Sequence, residues 1–332
     1  MKRNATLSRG FALLLAMCLL MSSCVFPVMA GDGTVHIRSL EDWKQLAKDC
    51  TLDTWSQGVT VVLECDLVLT GSEIIPTFGG IFDGNGHSVT GLNLTAEGSH
   101  EGLFRYLQSG AVVKNLTVTG SVTPAGTCSA IGGIVGTNHG TVTQCTFRGT
   151  VESSAGVGGI AGVNEADGQI LNCTVSGSIG GEHYTGGIAG ENYGSIVLCE
   201  NQSQVNTHET AVSPELDNVN WSRLNDMENM PVCTDSGGIA GYSKGIIQNC
   251  TNRGAVGYPH TGYNVGGIVG RQAGYVDGCT NTGTVQGRKE VGGIVGQMEP
   301  YTLLQFRQDS MNRLLTAMET LSSLMGTTLE HT

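Results

Sequence analysis

The sequence has few aromatic residues, few charged residues and few prolines. Aromatic residues make up 5% of the 332 residues, charged residues make up 14%, and proline occurs 7 times. A deep aromatic-lined pocket of the kind that many enzymes use is therefore not expected. Glycine, by contrast, occurs 50 times, without the period of three that collagen requires. The 39% of apolar residues can still fill a hydrophobic core.

The sequence also has no apolar run long enough to span a membrane. Its longest apolar run lies in a predicted targeting segment at residues 1–30. A basic start, an apolar run over 11–21 and small side chains before Gly31 are typical of a cleaved secretory signal. At about 1.5 Å per residue, this run is too short to cross a bilayer of about 30 Å. An alternative is lipid attachment at Cys24, because residues 21–24 resemble a lipobox. The sequence predicts a secreted or cell-surface protein without a transmembrane span in the mature chain.

Basic residues are scarce in the predicted mature chain. Removal of residues 1–30 takes away three basic and no acidic residues, which leaves 14 basic against 29 acidic residues and a net charge of −15. Nucleic-acid binding needs clustered lysine and arginine to neutralise phosphates. A nucleic-acid partner is therefore excluded.

A Gly-Gly-Ile unit recurs along the chain. The second glycines of the last six units are separated by 26, 28, 51, 29 and 26 residues, and we interpret the long interval as about two units. Within each unit, short runs of β-prone residues alternate with glycine, asparagine and serine, which favour turns. The isoleucines of these six units are Ile134, Ile160, Ile188, Ile239, Ile268 and Ile294.

This repeat predicts an all-β fold, a right-handed parallel β-helix in which each unit forms one coil. No segment inside a unit has the helical periodicity over eight to twenty residues that a helix needs, and a period near 26 is too short for a propeller blade of about 40–45 residues. Stacked coils would place the isoleucines in an inward ladder with a continuous core. The alternative architecture is a β-hairpin sandwich, which also has frequent turns.

Five of the eleven cysteines recur at one position of the repeat. Upstream units carry Leu92 and Leu116 at that position, which indicates a core site where cysteine acts as a small hydrophobe. We expect structural free thiols there, with disulfides or metal as alternatives. Cys50, Cys65, Cys128 and Cys233 lie off this ladder, and the first two could pair. The ladder cysteines are Cys145, Cys173, Cys199, Cys250 and Cys279.

The pattern divides the mature chain into three parts. Residues 31–58 form an N-terminal cap with an amphipathic capping helix over 39–50, begun by Ser39. Residues 59–300 are the β-helix repeats, interrupted by an acidic insertion at 201–235 that either packs as a lid or carries a binding function. Residues 301–332 contain an amphipathic C-terminal helix that covers the last coil or begins a longer stalk.

The repeats resemble the GLUG-motif family of bacterial exported surface proteins of Firmicute type. The likeness rests on the Gly-Gly-Ile-Val-Gly-x-Asn units, on residues 82–87 and on residues 102–104. It covers roughly residues 33–300. The resemblance implies export and surface association, and GLUG repeats accompany IgA-cleaving metallopeptidases and adhesin-like proteins. It supplies no catalytic residue.

The sequence offers no complete catalytic or metal-binding motif. His100-Glu101 and His208-Glu209 both lack the second histidine of a zinc-peptidase helix. We assign no catalytic residue, no metal site and no cofactor. A carbohydrate-active β-helix enzyme, of lyase or hydrolase type, stays as the alternative. Its candidate polar residues are Asp83, His87 and His139, although Asp83 fits a turn better.

The tyrosines of the repeats occupy different phases, so no single aromatic stripe is expected. Outward tyrosines could stack on sugar rings or anchor a protein partner, which leaves a glycan or a host or cell-surface protein as candidate partners. The sequence thus predicts a non-catalytic extracellular module for adhesion, interaction or spacing, or a fragment of a larger surface protein. The six tyrosines are Tyr184, Tyr193, Tyr242, Tyr258, Tyr263 and Tyr275.

Overall fold

The computed structural model describes residues 33–71, 73–208 and 233–299. Within these ranges the chain winds as a parallel β-helix of nine coils, with one strand of each coil in a nine-stranded sheet that we name sheet 1. The remaining strands form a thirteen-stranded sheet 2 and an eight-stranded sheet 3. The predicted signal segment with Cys24 and the predicted C-terminal helix over 301–332 lie outside the described residues.

The strand bounds follow, sheet by sheet. Sheet 1 contains Thr34–Ile37, Thr60–Leu63, Ile81–Asp83, Val112–Lys114, Thr141–Thr143, Gln169–Leu171, Ser195–Val197, Ile246–Gln248 and Tyr275–Asp277. Sheet 2 contains Leu67–Val68, Ser88–Leu94, Thr117–Val122, Ser129–Gly132, Thr146–Gly158, Thr174–Gly186, Glu200–Asn201, Gln204–Val205, Thr234–Gly237, Thr251–Asn252, Tyr263–Gly266, Thr280–Asn281 and Lys289–Gly292. Sheet 3 contains Ile75–Phe78, Phe104–Leu107, Val135–Asn138, Ala161–Asn164, Ala189–Asn192, Ala240–Ser243, Val269–Gln272 and Val295–Met298.

Neighbouring coils pair in parallel and in register. Ile170 pairs with Ile196, and Ile196 pairs with Ile247, so like positions of the repeat stack directly. Parallel pairing excludes the hairpin sandwich, whose adjacent strands would be antiparallel. The same register corrects the interpretation of the 51-residue interval. It is one coil with extra residues, because Gly186 pairs directly with Gly237.

The boundaries of the insertion and of the cap also differ from the sequence prediction. Glu200–Asn201, Gln204–Val205 and Thr234–Gly237 are strands of sheet 2, so both ends of the predicted insertion at 201–235 belong to the coil. Residues 209–232 are outside the described part. Likewise, Thr34–Ile37 pairs with Thr60–Leu63 and is the first strand of sheet 1. Strand pairing therefore begins within the predicted cap, because the helix is inserted between two solenoid strands.

The N-terminal helix spans Leu40–Asp49, one residue shorter at each end than predicted. Ser39 caps it by accepting a hydrogen bond from the backbone N–H of Asp42 at 3.2 Å. Trp43 is fully buried, meets the Phe82 ring edge-on at 5.9 Å and donates its indole N–H to the Glu73 carbonyl. The helix thus adds an aromatic layer to the first coils. In the described part of the chain, none of the helices has the length and apolarity that crossing a bilayer requires.

The isoleucines of the Gly-Gly-Ile units line the solenoid interior. Ile134, Ile160, Ile188, Ile239 and Ile268 are completely buried. Each donates its backbone N–H to the carbonyl of the isoleucine in the next coil, as Ile188 does to Ile239 at 2.9 Å. Ile294 differs, with 40% of its surface exposed. It lies in the last described coil, where no further described coil stacks on it.

The five ladder cysteines lie on successive coils. Cys145, Cys173, Cys199 and Cys250 are buried free thiols, whereas Cys279, in the last coil to carry this position, is a half-buried free thiol. The backbone N–H of one cysteine donates to the sulfur of the next, as from Cys199 to Cys250 at 3.4 Å. Cys50, Cys65 and Cys128, off the ladder, are also free thiols. Because they are buried, the four interior cysteines pack in the core as small hydrophobic residues.

Thiol labelling should separate these cysteines by depth. Desolvation raises the pKa of the Cys173 and Cys199 thiols, and the hydrogen bond with Cys199, together with burial, raises that of Cys250 to about 12. Because the thiolate is the reactive form, these thiols should resist alkylation in the native protein and react on unfolding. Iodoacetamide labelling followed by peptide mass spectrometry measures this, with half-buried Cys65 as the internal reference. Rapid native labelling of Cys173 and Cys199 would contradict their burial.

Buried asparagines form a second ladder at the ends of three successive sheet 3 strands. The Asn138 amide donates to Asn164 at 2.7 Å, and Asn164 donates to Asn192 at 2.8 Å. Asn138 Oδ1 also accepts from the backbone N–H of Gly140, which closes the turn toward sheet 1. The Asn138 and Asn164 amides are thus hydrogen-bonded both within their own coil and between coils, which fixes the register of these turns.

Candidate functional site

The turn between sheet 3 and sheet 1 has the same form in several coils. A buried asparagine, serine or glutamine ends the sheet 3 strand, and a glycine then precedes the sheet 1 strand. At Gly194 an added Cβ would overlap the carbonyl oxygen of Gly168 in the preceding coil. Only glycine allows the coils to approach this closely. The stacked glycines therefore form a column without side chains along the solenoid.

This column is the floor of an open groove that we name the turn groove. Its volume is about 590 Å³. One wall carries the residues just before each glycine, and the other wall carries the first residue of each sheet 1 strand. Along the second wall, Gln169 pairs with Ser195, Ser195 with Ile246, and Ile246 with Tyr275. The groove is lined by Ala166, Asp167, Gly168, Gln169, Tyr193, Gly194, Ser195, Lys244, Gly245, Ile246, Gly274 and Tyr275.

Two tyrosines give the turn groove an aromatic surface. Tyr275 is 53% exposed and lies two coils beyond Tyr193. The Tyr193 hydroxyl donates to Glu191 at 2.6 Å, and its ring meets the Tyr242 ring edge-on at 6.2 Å. Burial and the bond to Glu191 raise the pKa of Tyr193, so it stays a neutral phenol. Tyr193 is thus held in one orientation, while Tyr275 projects from the opposite wall.

The groove contains one carboxylate and one ammonium group among its lining residues. Asp167 is hydrogen-bonded to the His139 imidazole at 2.8 Å. Partial burial alone would raise the pKa of Asp167, but its bonds with His139 and Ser109 outweigh this and lower it. The Lys244 ammonium lies 5.7 Å from the centre of the Tyr242 ring, within cation–π range. At neutral pH the groove therefore combines a hydrogen-bond acceptor, a cationic donor and two phenols.

Beside the groove, Arg271 is the centre of a tyrosine–arginine cluster on the outer face of sheet 3. Its guanidinium lies 4.7 Å from the Tyr242 ring centre and 5.6 Å from that of Tyr184. It also pairs with Asp235 and Glu299, each at 3.1 Å. Desolvation lowers the pKa of Arg271, but these two carboxylates more than offset it and raise the value. The cluster joins four coils and ties the end of the described chain to the solenoid wall.

The sequence did not indicate this cluster, because its members come from different positions of the repeat. Tyr184 precedes the Gly-Gly-Ile unit and has a left-handed backbone, with φ of 53°. Asp235 occupies the equivalent corner of the next coil, with φ of 59°. Tyr242 and Arg271 instead pair across sheet 3 strands. The available signal was the position two residues before Gly-Gly-Ile, which has a left-handed backbone at Tyr184 and Asp235.

The other polar candidates lie elsewhere. Asp83 accepts hydrogen bonds from the Asn85 backbone at 2.9 Å and the Asn115 amide at 3.0 Å, and it pairs with Lys114. Its role is therefore that of a turn-closing residue. His87 lies 3.4 Å from Asp66. In the residues that the structure describes, no group of three or more histidine, cysteine or acidic side chains could hold a metal ion.

Comparison with known proteins agrees with the repeat pattern. Three segments match the family described as the GLUG motif, at residues 127–152, 153–180 and 261–286. Each segment spans about one coil, so the chain carries GLUG repeats, and one repeat corresponds to one winding of the solenoid. The chain is a β-solenoid in which three coils match the GLUG motif.

Two individual proteins are similar to parts of the chain. Halomucin of Haloquadratum walsbyi is 29% identical over 157 residues, which is 42% of this chain but only 2% of halomucin. A crystal structure from Bacteroides ovatus, described as a "putative immunoglobulin A1 protease", aligns with a TM-score of 0.48 and 18% identity. That alignment covers 80% of this chain and 82% of the other. The parallel strand pairing of this chain by itself defines its β-helix fold.

Proposed function

We propose that this chain is a non-catalytic extracellular or cell-surface module that combines rigid spacing with binding along the outside of the solenoid. The observation that carries the proposal is the continuous parallel pairing of nine coils in sheet 1, from Thr34–Ile37 to Tyr275–Asp277. At about 4.8 Å per coil, such a stack is a rod on the order of 40 Å long. Continuous pairing and a shared core couple each coil to its neighbours.

Surface association is supported by several independent features. The predicted signal segment at 1–30 favours export, with cleavage before Gly31 or lipid attachment at Cys24 as the two routes. The GLUG repeats and the similarity to halomucin support a role as a surface repeat module. The net charge of −12 and the absence of basic runs favour a solvated outer surface. We also propose that the module acts in adhesion and has a Firmicute-type origin.

The turn groove favours binding over hydrolysis. Glycoside hydrolysis requires two carboxyl groups flanking the scissile bond, about 5–9.5 Å apart. Among the lining residues only Asp167 is acidic, and its hydrogen bonds hold it in the ionised form. A general acid at neutral pH would instead need a raised pKa. The carbohydrate-active enzyme therefore receives no support from this groove.

Cell fractionation tests the proposed location. The full chain, expressed in a bacterium with a compatible export system, should appear in the medium or at the cell surface. Mass spectrometry of its N-terminus should show either a start at Gly31 or a lipid on Cys24. As a control, deletion of residues 2–21 should retain the protein in the cytoplasm. An intact N-terminus on a cytoplasmic full-length chain would contradict the proposal.

A further inference from the structure

We infer that the turn groove is a binding site for a neutral linear glycan that lies along the solenoid axis. The inference rests on the proposed function, since it names the ligand class of an extracellular binding module. It follows from three properties of the groove. Three of the four glycine carbonyls along its floor already accept hydrogen bonds between coils. Its walls carry hydroxyl, amide and phenol groups, and its two tyrosines are spaced along the axis.

The floor of the groove excludes recognition through backbone pairing. The Gly168 carbonyl accepts from the Ser195 N–H at 3.0 Å, and the Gly194 carbonyl accepts from the Ile246 N–H at 2.8 Å. The Gly245 carbonyl is used in the same way by the next coil, which contributes Tyr275. An extended peptide gains its affinity at a sheet edge by pairing with free main-chain groups. Because these carbonyls are already engaged between coils, a ligand here must be recognised by side chains.

The walls present side chains that suit a polyhydroxylated ligand. Asp167 can accept hydroxyl hydrogens, Lys244 can donate, and Gln169 and Ser195 can do both. The rings of Tyr193 and Tyr275 add flat apolar surfaces for the carbon faces of sugar rings. The hydroxyl-rich edge and the apolar face of a sugar thus both find partners in one groove.

The spacing of the two tyrosines favours a chain over a single sugar. Tyr193 and Tyr275 belong to coils that are two steps apart, which places them about 10 Å from each other along the axis at about 4.8 Å per coil. The glycine column between them has no side chains to block an extended ligand. A linear oligosaccharide can therefore contact both rings with different residues of one chain.

The charge of the protein selects against polyanionic glycans. Within the groove, Asp167 and Lys244 balance each other, so the lining residues provide no excess positive charge. The chain as a whole carries a net charge of −12, which repels a polyanion at low salt. Neutral glycans avoid this repulsion and can use both charged groups as hydrogen-bond partners.

Titration calorimetry with defined oligosaccharides tests the inference. The protein beginning at Gly31 should bind at least one of cellohexaose, xylohexaose and mannohexaose, and should not bind polygalacturonate at the same low salt. Tyr275→Ala should weaken binding at least tenfold, since it removes an exposed ring without disturbing the core. Lys244→Ala should weaken it less. Tyr106→Ala, on the outer face of sheet 3 away from the groove, is the matched control and should bind like the unmodified protein.

Two binding results and one competition result would contradict glycan binding in the turn groove. Failure of all three neutral hexasaccharides, or binding that is insensitive to Tyr275→Ala, overturns the inference. Capture of an extended peptide that competes with the hexasaccharide at Tyr275 would likewise overturn the exclusion of peptides. None of these results affects the proposed surface location, which fractionation tests separately. Circular dichroism of every variant establishes that a loss of binding is not a loss of fold.

Discussion

Replacement of Ile188 by aspartate should remove the single cooperative unfolding transition of the solenoid, or lower its midpoint severely. Ile188 is fully buried, with the backbone of Ile160 on one side and that of Ile239 on the other. The substitution loses about 1.5–3 kcal/mol of apolar burial. It also places an unpaired carboxyl in the core, at a cost of several kcal/mol. Their sum approaches the 5–15 kcal/mol that typically stabilises a domain.

Two control substitutions and the pH dependence of stability test whether a buried carboxyl causes this loss. Ile188→Val should cost only about 0.5–1.5 kcal/mol, because it preserves apolar contact. Ile246→Asp, at a position that is 44% exposed, should leave the stability nearly unchanged. A buried aspartate has a raised folded-state pKa, so the stability of Ile188→Asp should fall as pH rises from 4 toward 7. Urea unfolding followed by circular dichroism measures all three. An Ile188→Asp protein as stable as the unmodified chain would refute the inward ladder.

The second glycine of each Gly-Gly-Ile unit from Gly133 to Gly267 allows neighbouring coils to approach closely. Gly187→Ala should destabilise the protein by about 3 kcal/mol or more, because overpacking against backbone leaves little room for relaxation. An added Cβ there would overlap both the Gly238 carbonyl oxygen and the Asn201 side-chain amide. The backbone at Gly187 does not have a left-handed φ, so alanine is strained only by these contacts.

Gly293 provides a control from the same position of the repeat. It is the second glycine of the last Gly-Gly-Ile unit, and an added Cβ there meets nothing within 4 Å. Gly293→Ala should therefore change the free energy of unfolding by no more than about 0.5 kcal/mol. The two substitutions are chemically identical and differ in whether another described coil stacks on the site. Equal effects on the unfolding midpoint would contradict the close stacking of coils.

Rigidity and surface recognition have a common origin in this molecule. The glycines that permit close stacking at the turns also leave the floor of the turn groove without side chains. Asn164 and Asn192 of the asparagine ladder fix two of these turns from inside the solenoid. A groove whose walls are held by the register of the coils loses little conformational entropy when a ligand binds. The proposed spacing and binding roles are therefore compatible in one structure.

The sequence predicted the features that repeat at a constant position. The recurring isoleucines and cysteines indicated inward positions, because apolar residues in one phase must share a core in stacked coils. The amphipathic spacing after Ser39 indicated the first helix. These features depend on local pattern alone. The 51-residue interval was wrongly divided into two units because sequence spacing cannot distinguish an added coil from extra residues within one coil.

The tertiary structure alone decided which side chains meet on the outside. Tyr184, Tyr242 and Arg271 occupy different positions of the repeat, and left-handed corners and strand pairing bring them together. The walls of the turn groove likewise join residues from four coils, including Tyr193 and Tyr275. The periodicity of the sequence by itself determined which residues face the interior, since burial restricts the type of residue at each stacked position. Outer positions are free of that constraint, so their neighbours follow only from the path of the folded chain.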